Sequence, residues 1–301
     1  MPQESAQQLR QARVDGGAFR LPPRLLLRLS GADAFRYLNG QITRDLSRAI
    51  PGDAVQACIL TPKGKLCAPL LIWREGDDLL IESDPSLEDI LIARLERYIV
   101  ADDVTLSREH APSAIHLFGK LAAAEPWAAA PGIRVNRLGD SGIDLDEDAP
   151  GVAALPLLDP GVVQALRIER GIPQWGSELS EDTLPPEAGL DRTHIDYDRG
   201  CYPGQEVISR LKSIGKVNRL LHLLTAPENS HLAPGHEIIT DVGGIVGAVT
   251  SVAPRLPALS ERSFALAYLK RSAAENGLPL FALDPLTGGK TPLSITQTIS
   301  S

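Results

Sequence analysis

Cysteine is scarce in this chain: Cys58, Cys67 and Cys201 are all there is among 301 residues. The number is odd and there is no Cys-x-x-Cys, which argues against a disulfide framework and leaves the three as candidate core residues or reactive thiols. Metal-site spacing is missing as well. There is no His-Glu-x-x-His and no Cys/His pair at zinc-finger distance, so His194, the histidine nearest Cys201, reads as a satisfied structural residue. Basic excess is absent: the net charge of −8 argues against direct nucleic-acid binding, which needs a basic face. Only Arg10, Arg13, Arg20, Arg24 and Arg28 make a locally basic stretch, read as a solvated face or a flexible arm. No run approaches the ~18 apolar residues of a spanning helix. The start, Met1-Pro2-Gln3-Glu4, lacks the basic and apolar segments of a secretion signal. The expectation is a reduced, cytoplasmic chain with no membrane partner, a monomer by default.

What is present is an ordinary globular composition, 43% hydrophobic and 23% charged, long enough for a large core and at least two domains. Residues 1–18 are polar and read as loose. Leu25–Leu29 reads as a buried strand, followed by a short helix opened by Ser30 and Asp33 as a capping box and closed at Gly40. Strands are expected at Val55–Leu60, Leu66–Trp73 and Asp78–Glu82. An amphipathic helix follows, capped by Asp84 with Pro85 first and Leu87, Ile90, Leu91, Leu95, Tyr98 and Ile99 on its apolar stripe. The acidic, Gly- and Pro-rich stretch Gly139–Gly161 reads as loop or linker. Asp159-Pro160 starts a helix that runs to Arg170 and ends at Gly171. Beyond Gly215, short segments at Val217–Thr225, His236–Thr240, Gly244–Val252 and Ser263–Lys270 suit a small antiparallel barrel. Gly243-Gly244-x-x-Gly247 reads as a hairpin turn, because no helix pattern or Lys-Ser/Thr follows it as a phosphate loop requires. Residues 284–301 read as a tail. The division expected is 1–18, a two-part α+β region at 19–215, a barrel at 216–283, and the tail.

The stretch Arg199-Gly200-Cys201-Tyr202-Pro203-Gly204-Gln205-Glu206 concentrates the chemistry. Pro203 and Gly204 lead into a helical pattern over Gln205 to Lys212, with Gly215 as its stop. A cysteine just ahead of a helix start, two residues from an arginine, is placed to favour the thiolate, the nucleophilic and metal-binding form. A buried cysteine beside a turn is the alternative for that residue alone.

This octet resembles the Lys-Gly-Cys-Tyr/Phe-x-Gly-Gln-Glu signature of the YgfZ-type folate-binding proteins, relatives of the aminomethyltransferase (T-protein) of the glycine cleavage system. Three further segments fall in the family's order: Ser30 to Asp45, Thr61-Pro62-Lys63-Gly64-Lys65, and Arg167-Ile168-Glu169-Arg170-Gly171-Ile172-Pro173. Only the Cys octet is specific by itself, and Arg199 stands where the family has lysine. The resemblance implies an α+β fold: an aminomethyltransferase-like folate-binding ring of α/β layers with a C-terminal antiparallel β-barrel.

It also implies tetrahydrofolate as cofactor and a role in assembly or repair of iron–sulfur clusters, with client proteins or assembly factors as partners. Any effect on tRNA modification is then indirect, through iron–sulfur enzymes. The alternative is a folate-dependent aminomethyltransferase, which uses an acidic residue where this chain offers Cys201. In the first reading Cys201 is the reactive group. The resemblance assigns Glu169 to the pterin. The sequence adds that a carboxylate in the last turn of a helix is disfavoured by roughly 0.3–1 kcal/mol, so Glu169 needs a compensating partner; an ion pair with Arg167 or Arg170 is the structural option. Arg167, Lys63 and Lys65 are candidates for the anionic folate tail. Tyr202 would stack on the pterin or pack in the core, and Gln205, Gln41, Asp45 and Asn39 are further candidate contacts. Glu206 suits a helix start and reads equally as a structural cap.

Overall fold

Helix α1 (Pro2–Asp15) opens the chain where a loose arm was expected. Its polar residues face outward, while Leu9 and Ala12 are buried against Phe19, Phe118 and, on a later helix, Val162 and Leu166. The computed structural model describes residues 2–213, 215–228, 230–255 and 262–299. After α1 come β1 (Gly17–Arg20), β2 (Leu25–Ser30) and α2 (Ala34–Asn39). The expected Ser30/Asp33 capping box does not form: the Asp33 carboxylate instead accepts from the Asp103 backbone N–H at 2.9 Å. Strands β3 (Val55–Leu60), β4 (Leu66–Glu75) and β5 (Asp78–Ser83) follow. Then Asp84 accepts from the Ser86 N–H at 2.9 Å and launches a short turn into α3 (Glu88–Glu96). With β6 (Thr105–Glu109), these strands form a five-stranded antiparallel sheet in the order β3-β4-β5-β2-β6. Leu27, Leu29, Ile72 and Ile81 on its inner face pack against Tyr37, Leu38, Leu91 and Leu95 of the helices.

The second sheet is built from β1, β7 (Ala114–Phe118), β8 (Ile133–Arg134) and β9 (Gly142–Asp146), in the order β1-β7-β9-β8, with the single-turn helix α4 (Lys120–Ala123) between β7 and β8. Strand β9 lies inside the stretch expected to be linker. Its Asp144 points inward, takes a 2.7 Å hydrogen bond with His116 Nδ1, and accepts from Arg137, which also donates to Glu82 of the first sheet at 2.7 Å. This buried charge cluster ties the two sheets together. Helix α5 (Pro160–Glu169) then crosses to α1, and α6 (Gln205–Ser213) follows the cysteine octet.

Strands β10 (Arg219–Pro227), β11 (Glu237–Thr240), β12 (Ile245–Val252) and β13 (Arg262–Lys270) match the expected segments closely. A one-turn helix α7 (Arg271–Glu275) leads to β14 (Leu280–Leu283) and β15 (Lys290–Thr298). The six strands close into an antiparallel barrel in the order β10-β13-β12-β11-β14-β15. The stretch 290–298 is thus a structural strand where a tail was expected; residues 300–301 of that tail lie outside the described residues. The Gly243-Gly244 turn joins β11 to β12 as a hairpin, with Gly243 at φ 92°. Among the described residues, no helix is long and apolar enough to cross a membrane.

Candidate functional site

Cys201 is the one exposed cysteine; Cys58 and Cys67 are buried, and burial raises both of their pKa values. The exposed thiol sits on a short loop with a stiff backbone. The Tyr202 carbonyl accepts from the Gln205 N–H at 3.2 Å, and Gly204, at φ 87°, turns the chain into α6. Helix α6 therefore starts at Gln205, four residues beyond the thiol, with Pro203 in the preceding turn.

Two contacts press this loop onto distant parts of the chain. The first is backbone against backbone: a Cβ on Gly204 would lie 2.5 Å from the Thr61 carbonyl oxygen, and one on Gly64 would lie 2.9 Å from Val207 Cβ. The hairpin Thr61–Lys65 and the Pro203-Gly204 turn approach this closely only because both positions are glycine. The second is Arg199. Its guanidinium donates to the backbone carbonyls of Asn39, Ile42 and Arg44, the Ile42 bond being 3.1 Å, and lies 5.4 Å over the Tyr202 ring. A planar fork with several N–H donors satisfies three carbonyls at once, which a lysine ammonium does with less geometric control. The arginine is thus spent on the backbone of the loop's neighbour rather than on the thiol.

The same neighbour, residues 39–48, is laced to residues 193–199. Asp196 accepts from the Asp45 N–H at 2.9 Å and forms an ion pair with Arg44, its Oδ1 lying 3.0 Å from Nε. Thr43 donates to the His194 carbonyl at 2.5 Å and accepts from the Cys58 N–H at 2.8 Å. His194 shares a 2.7 Å hydrogen bond with Thr193 Oγ1, and burial beside Arg44 lowers its pKa to about 4, so it is neutral at pH 7. Asp45 caps the turn that follows it, accepting from Ser47 Oγ at 2.7 Å and from the Ser47 N–H at 3.0 Å, which together hold its carboxyl below the usual range; Asn39 donates to it at 3.3 Å.

The proposed folate contacts do not gather around the thiol as one set. Tyr202 is 7% exposed and packs with Leu60, Leu66, Ile208 and Tyr268, so its ring is a core anchor and offers no stacking face. Gln205 donates to the Arg199 carbonyl at 3.3 Å, and Gln41 accepts from Arg94 of α3 at 3.0 Å. Lys63 is exposed at the hairpin tip beside the loop, with no ion-pair partner among the described residues; Lys65 pairs with Asp182 at 2.6 Å. Glu206 pairs with Arg210 one turn along α6, at 2.8 Å. Arg167 is unavailable for a ligand tail: it is buried between α5 and the barrel, donating to Glu178 at 3.0 Å, Ser251 Oγ at 2.9 Å and the Ile172 carbonyl at 2.7 Å. Glu169 has its compensating partner, but neither Arg167 nor Arg170 supplies it. Arg13 of α1 does, from Nε to Oε2 at 2.9 Å and from Nη2 to Oε1 at 2.6 Å.

A cleft of about 440 Å³ lies elsewhere, over the seam between α5 and the barrel, lined by Gln164, Ser177, Pro234, Thr250 and Ser251. It includes no residue of the thiol loop.

No protein-family model matches the chain. Comparison with curated proteins finds the tRNA-modifying protein YgfZ of Yersinia enterocolitica, 28% identical over 72% of this chain and 73% of that protein. The protein of the same name from Escherichia coli O157:H7 is 27% identical over 72% and 74%. The chain is thus similar to YgfZ-type proteins. The wider kinship shows in an aminomethyltransferase of Nostoc, 26% identical over 84% of this chain and 76% of that protein. The fold of the chain matches that of the glycine cleavage system aminomethyltransferase T from Bartonella henselae, with a TM-score of 0.78 over 97% of this chain and 88% of that one, at 18% identity.

Sequence reasoning missed Arg13, Thr43 and Asp196. Arg13 carried a signal, since it belongs to the arginine-rich start, but its partner lies 156 residues away. Thr43 and Asp196 carried none beyond being polar residues that become buried or half-buried.

Proposed function

We propose that this YgfZ-type chain is a tetrahydrofolate-binding accessory protein for the assembly or repair of iron–sulfur clusters, acting in the cytoplasm with Cys201 as its reactive thiol. The observation that carries this reading is the combination at Cys201: an exposed sulfur on a loop pinned by Arg199 and by the Gly64–Gly204 approach. A positioned, accessible thiol is what metal ligation or covalent capture requires, the thiolate being the reacting form. One thiol supplies one ligand, and the other two cysteines are buried, so a cluster here is cargo shared with a client protein rather than a resident group. The name of the curated relatives, tRNA-modifying protein, supports a role whose outcome is tRNA modification. The net charge of −8 favours an indirect route through iron–sulfur enzymes over direct tRNA contact.

The fit of folate is tested by Glu169. A pterin presents two parallel N–H donors on its amino-amidine edge, and the Glu169 carboxylate already accepts such a pair from the Arg13 guanidinium at 2.9 and 2.6 Å. This two-pronged acceptance supports the pterin role for the carboxylate, on condition that Arg13 gives way. Lys63, exposed on the hairpin beside the thiol loop, is the cation suited to the glutamyl tail. Bound tetrahydrofolate supplies one-carbon chemistry at N5; the chain's part is to hold the pterin edge at Glu169 and to present the thiol. The second reading, an aminomethyltransferase of the glycine cleavage type, is favoured by the Nostoc relative and needs no thiol.

Calorimetry with tetrahydrofolate tests the folate half. Glu169→Ala is expected to weaken binding at least tenfold and Arg13→Ala to tighten it, whereas equal affinity in wild type and Glu169→Ala refutes the anchor. Complementation of cells lacking the protein tests the thiol half. Cys201→Ala is expected to keep folate affinity and lose support for iron–sulfur enzymes; full support from that variant sinks the thiol role and leaves the aminomethyltransferase reading.

A further inference from the structure

Outside the thiol loop, the described residues bring one set of metal-ligating side chains together: His231, His236 and Asp284, whose donor atoms all lie within 4.8 Å of one another. His231 and His236 belong to the connection between β10 and β11, and Asp284 opens the hairpin between β14 and β15. The two segments are far apart in sequence and meet only because the barrel closes. His231 Nδ1 stands 3.4 Å from Asp284 Oδ2, a loose contact, and the two imidazoles are tilted with centroids 5.9 Å apart.

Three features separate this cluster from a chance surface grouping. His236 is 6% exposed, yet its Nδ1 has no hydrogen-bond partner, an uncompensated polar atom that normally costs stability. The Asp284 carboxylate is held by its own hairpin: Oδ1 accepts from the Leu286 N–H at 2.8 Å and Oδ2 from Thr287 Oγ1 at 2.8 Å. Such outer contacts orient a ligating carboxylate, and they also hold its pKa below the usual range, with His231 adding to the effect. His231, by contrast, has a side chain 73% exposed and is free to swing. Zinc–ligand bonds of about 2.0–2.2 Å in a tetrahedron place donor atoms about 3.3 Å apart. The His231–Asp284 separation is already close to this value, and the separations that involve His236 lie within 4.8 Å.

We propose that His231, His236 and Asp284 form a binding site for one divalent transition-metal ion, Zn2+ before others, that clips the β10–β11 connection to the β14–β15 hairpin. Two imidazoles and one carboxylate are a nitrogen- and oxygen-rich set that suits zinc and disfavours calcium or magnesium. Three protein ligands leave a fourth position for water. The site shares no residue with the thiol loop and stands independently of the folate and iron–sulfur reading.

The test is Zn2+ titration by calorimetry of the full chain after chelator treatment and desalting, with Co2+ absorbance to read the geometry. One Zn2+ per chain and tetrahedral Co2+ bands are expected. His231→Ala and Asp284→Asn are each expected to weaken Zn2+ binding by at least about tenfold, with His110→Ala, on an exposed histidine elsewhere, unchanged. His231→Ala alters an exposed side chain and cannot be dismissed as misfolded if its circular dichroism matches wild type. Absence of stoichiometric Zn2+ binding in wild type, or unchanged affinity in a folded His231→Ala, overturns the site.

Discussion

Arg167 and Arg199 use the same chemistry to opposite ends. Arg167 seals a seam. With Glu178 wholly buried and Ser251 bridging them through a 2.5 Å bond to Glu178, it joins α5 to the barrel and leaves nothing for solvent or ligand. Tyr268 of β13 closes the network by donating to the Glu178 carbonyl at 3.0 Å. Arg199 gives its donors to backbone carbonyls and leaves its neighbour, Cys201, exposed. One arginine balances a buried charge; the other pins a loop whose thiol stays in water. The difference shows why a motif's charge alone does not say whether it binds anything: the partner's identity, carboxylate or carbonyl, decides.

The sharpest way to break the comparison is Glu178→Ala. It strands the Arg167 charge in the seam, and loss of one partner of a buried pair costs about 3–5 kcal/mol. Urea denaturation is expected to show that loss, with the barrel uncoupled from the ring; a change below about 1 kcal/mol would mean the seam is hydrated. Arg199→Ala comes second. It leaves three half-buried carbonyls short of a donor, and a cost of about 2 kcal/mol is expected. Arg199→Lys should recover part of it, and alkylation kinetics at Cys201 should broaden or change in the alanine variant, the readout that a merely structural residue elsewhere would not move.

A third effect is spread over both regions and is read by pH. Burial lowers His116 of β7, and lowers His194 beside the loop and His222 in the barrel to about 4 each. Unfolded, these imidazoles titrate near about 6.5, so below that value the unfolded chain binds more protons than the folded one. Their stabilising contribution is full above about pH 6.5 and is lost as pH falls towards 4; Asp191, raised by burial, opposes the trend at the lower end. A urea midpoint that does not move between pH 7 and 4.5 would contradict this.

Much of the fold was legible because its strongest elements are locally consistent. Strands β3, β5 and β10 to β13 have apolar runs bounded by turn residues, and they appear within a residue or two of expectation. The misses have physical reasons. Helix α1 buries little beyond Ala6, Leu9 and Ala12, so its sequence looks like a solvated arm. Strand β9 carries Asp144 inward, and only the distant His116 and Arg137 make that carboxylate tolerable. Strand β15 buries Leu293 almost alone, its place being set by pairing to β10 and β14. At the site, Cys201 stood out by its neighbours, whereas Tyr202 gave no sign of whether its ring faced a ligand or a core. The Arg13–Glu169 pair was invisible for the same reason as β9: its logic spans more than a hundred residues.

The pinning of the thiol loop also carries a timetable. Its carbonyl partners at residues 39–44 and its hairpin neighbour at 61–65 are synthesised long before Cys201. The loop's anchor, Tyr202, shares its core with Leu221 and Leu223 of β10, Tyr268 of β13 and Ile299 near the end of the chain. Contacts between such remote segments form late, after the ends of the intervening chain have been brought together. The sulfur therefore takes up its fixed position only after β13 and Ile299 have been synthesised, and a chain that stops short of them displays the cysteine without the packing that holds its loop.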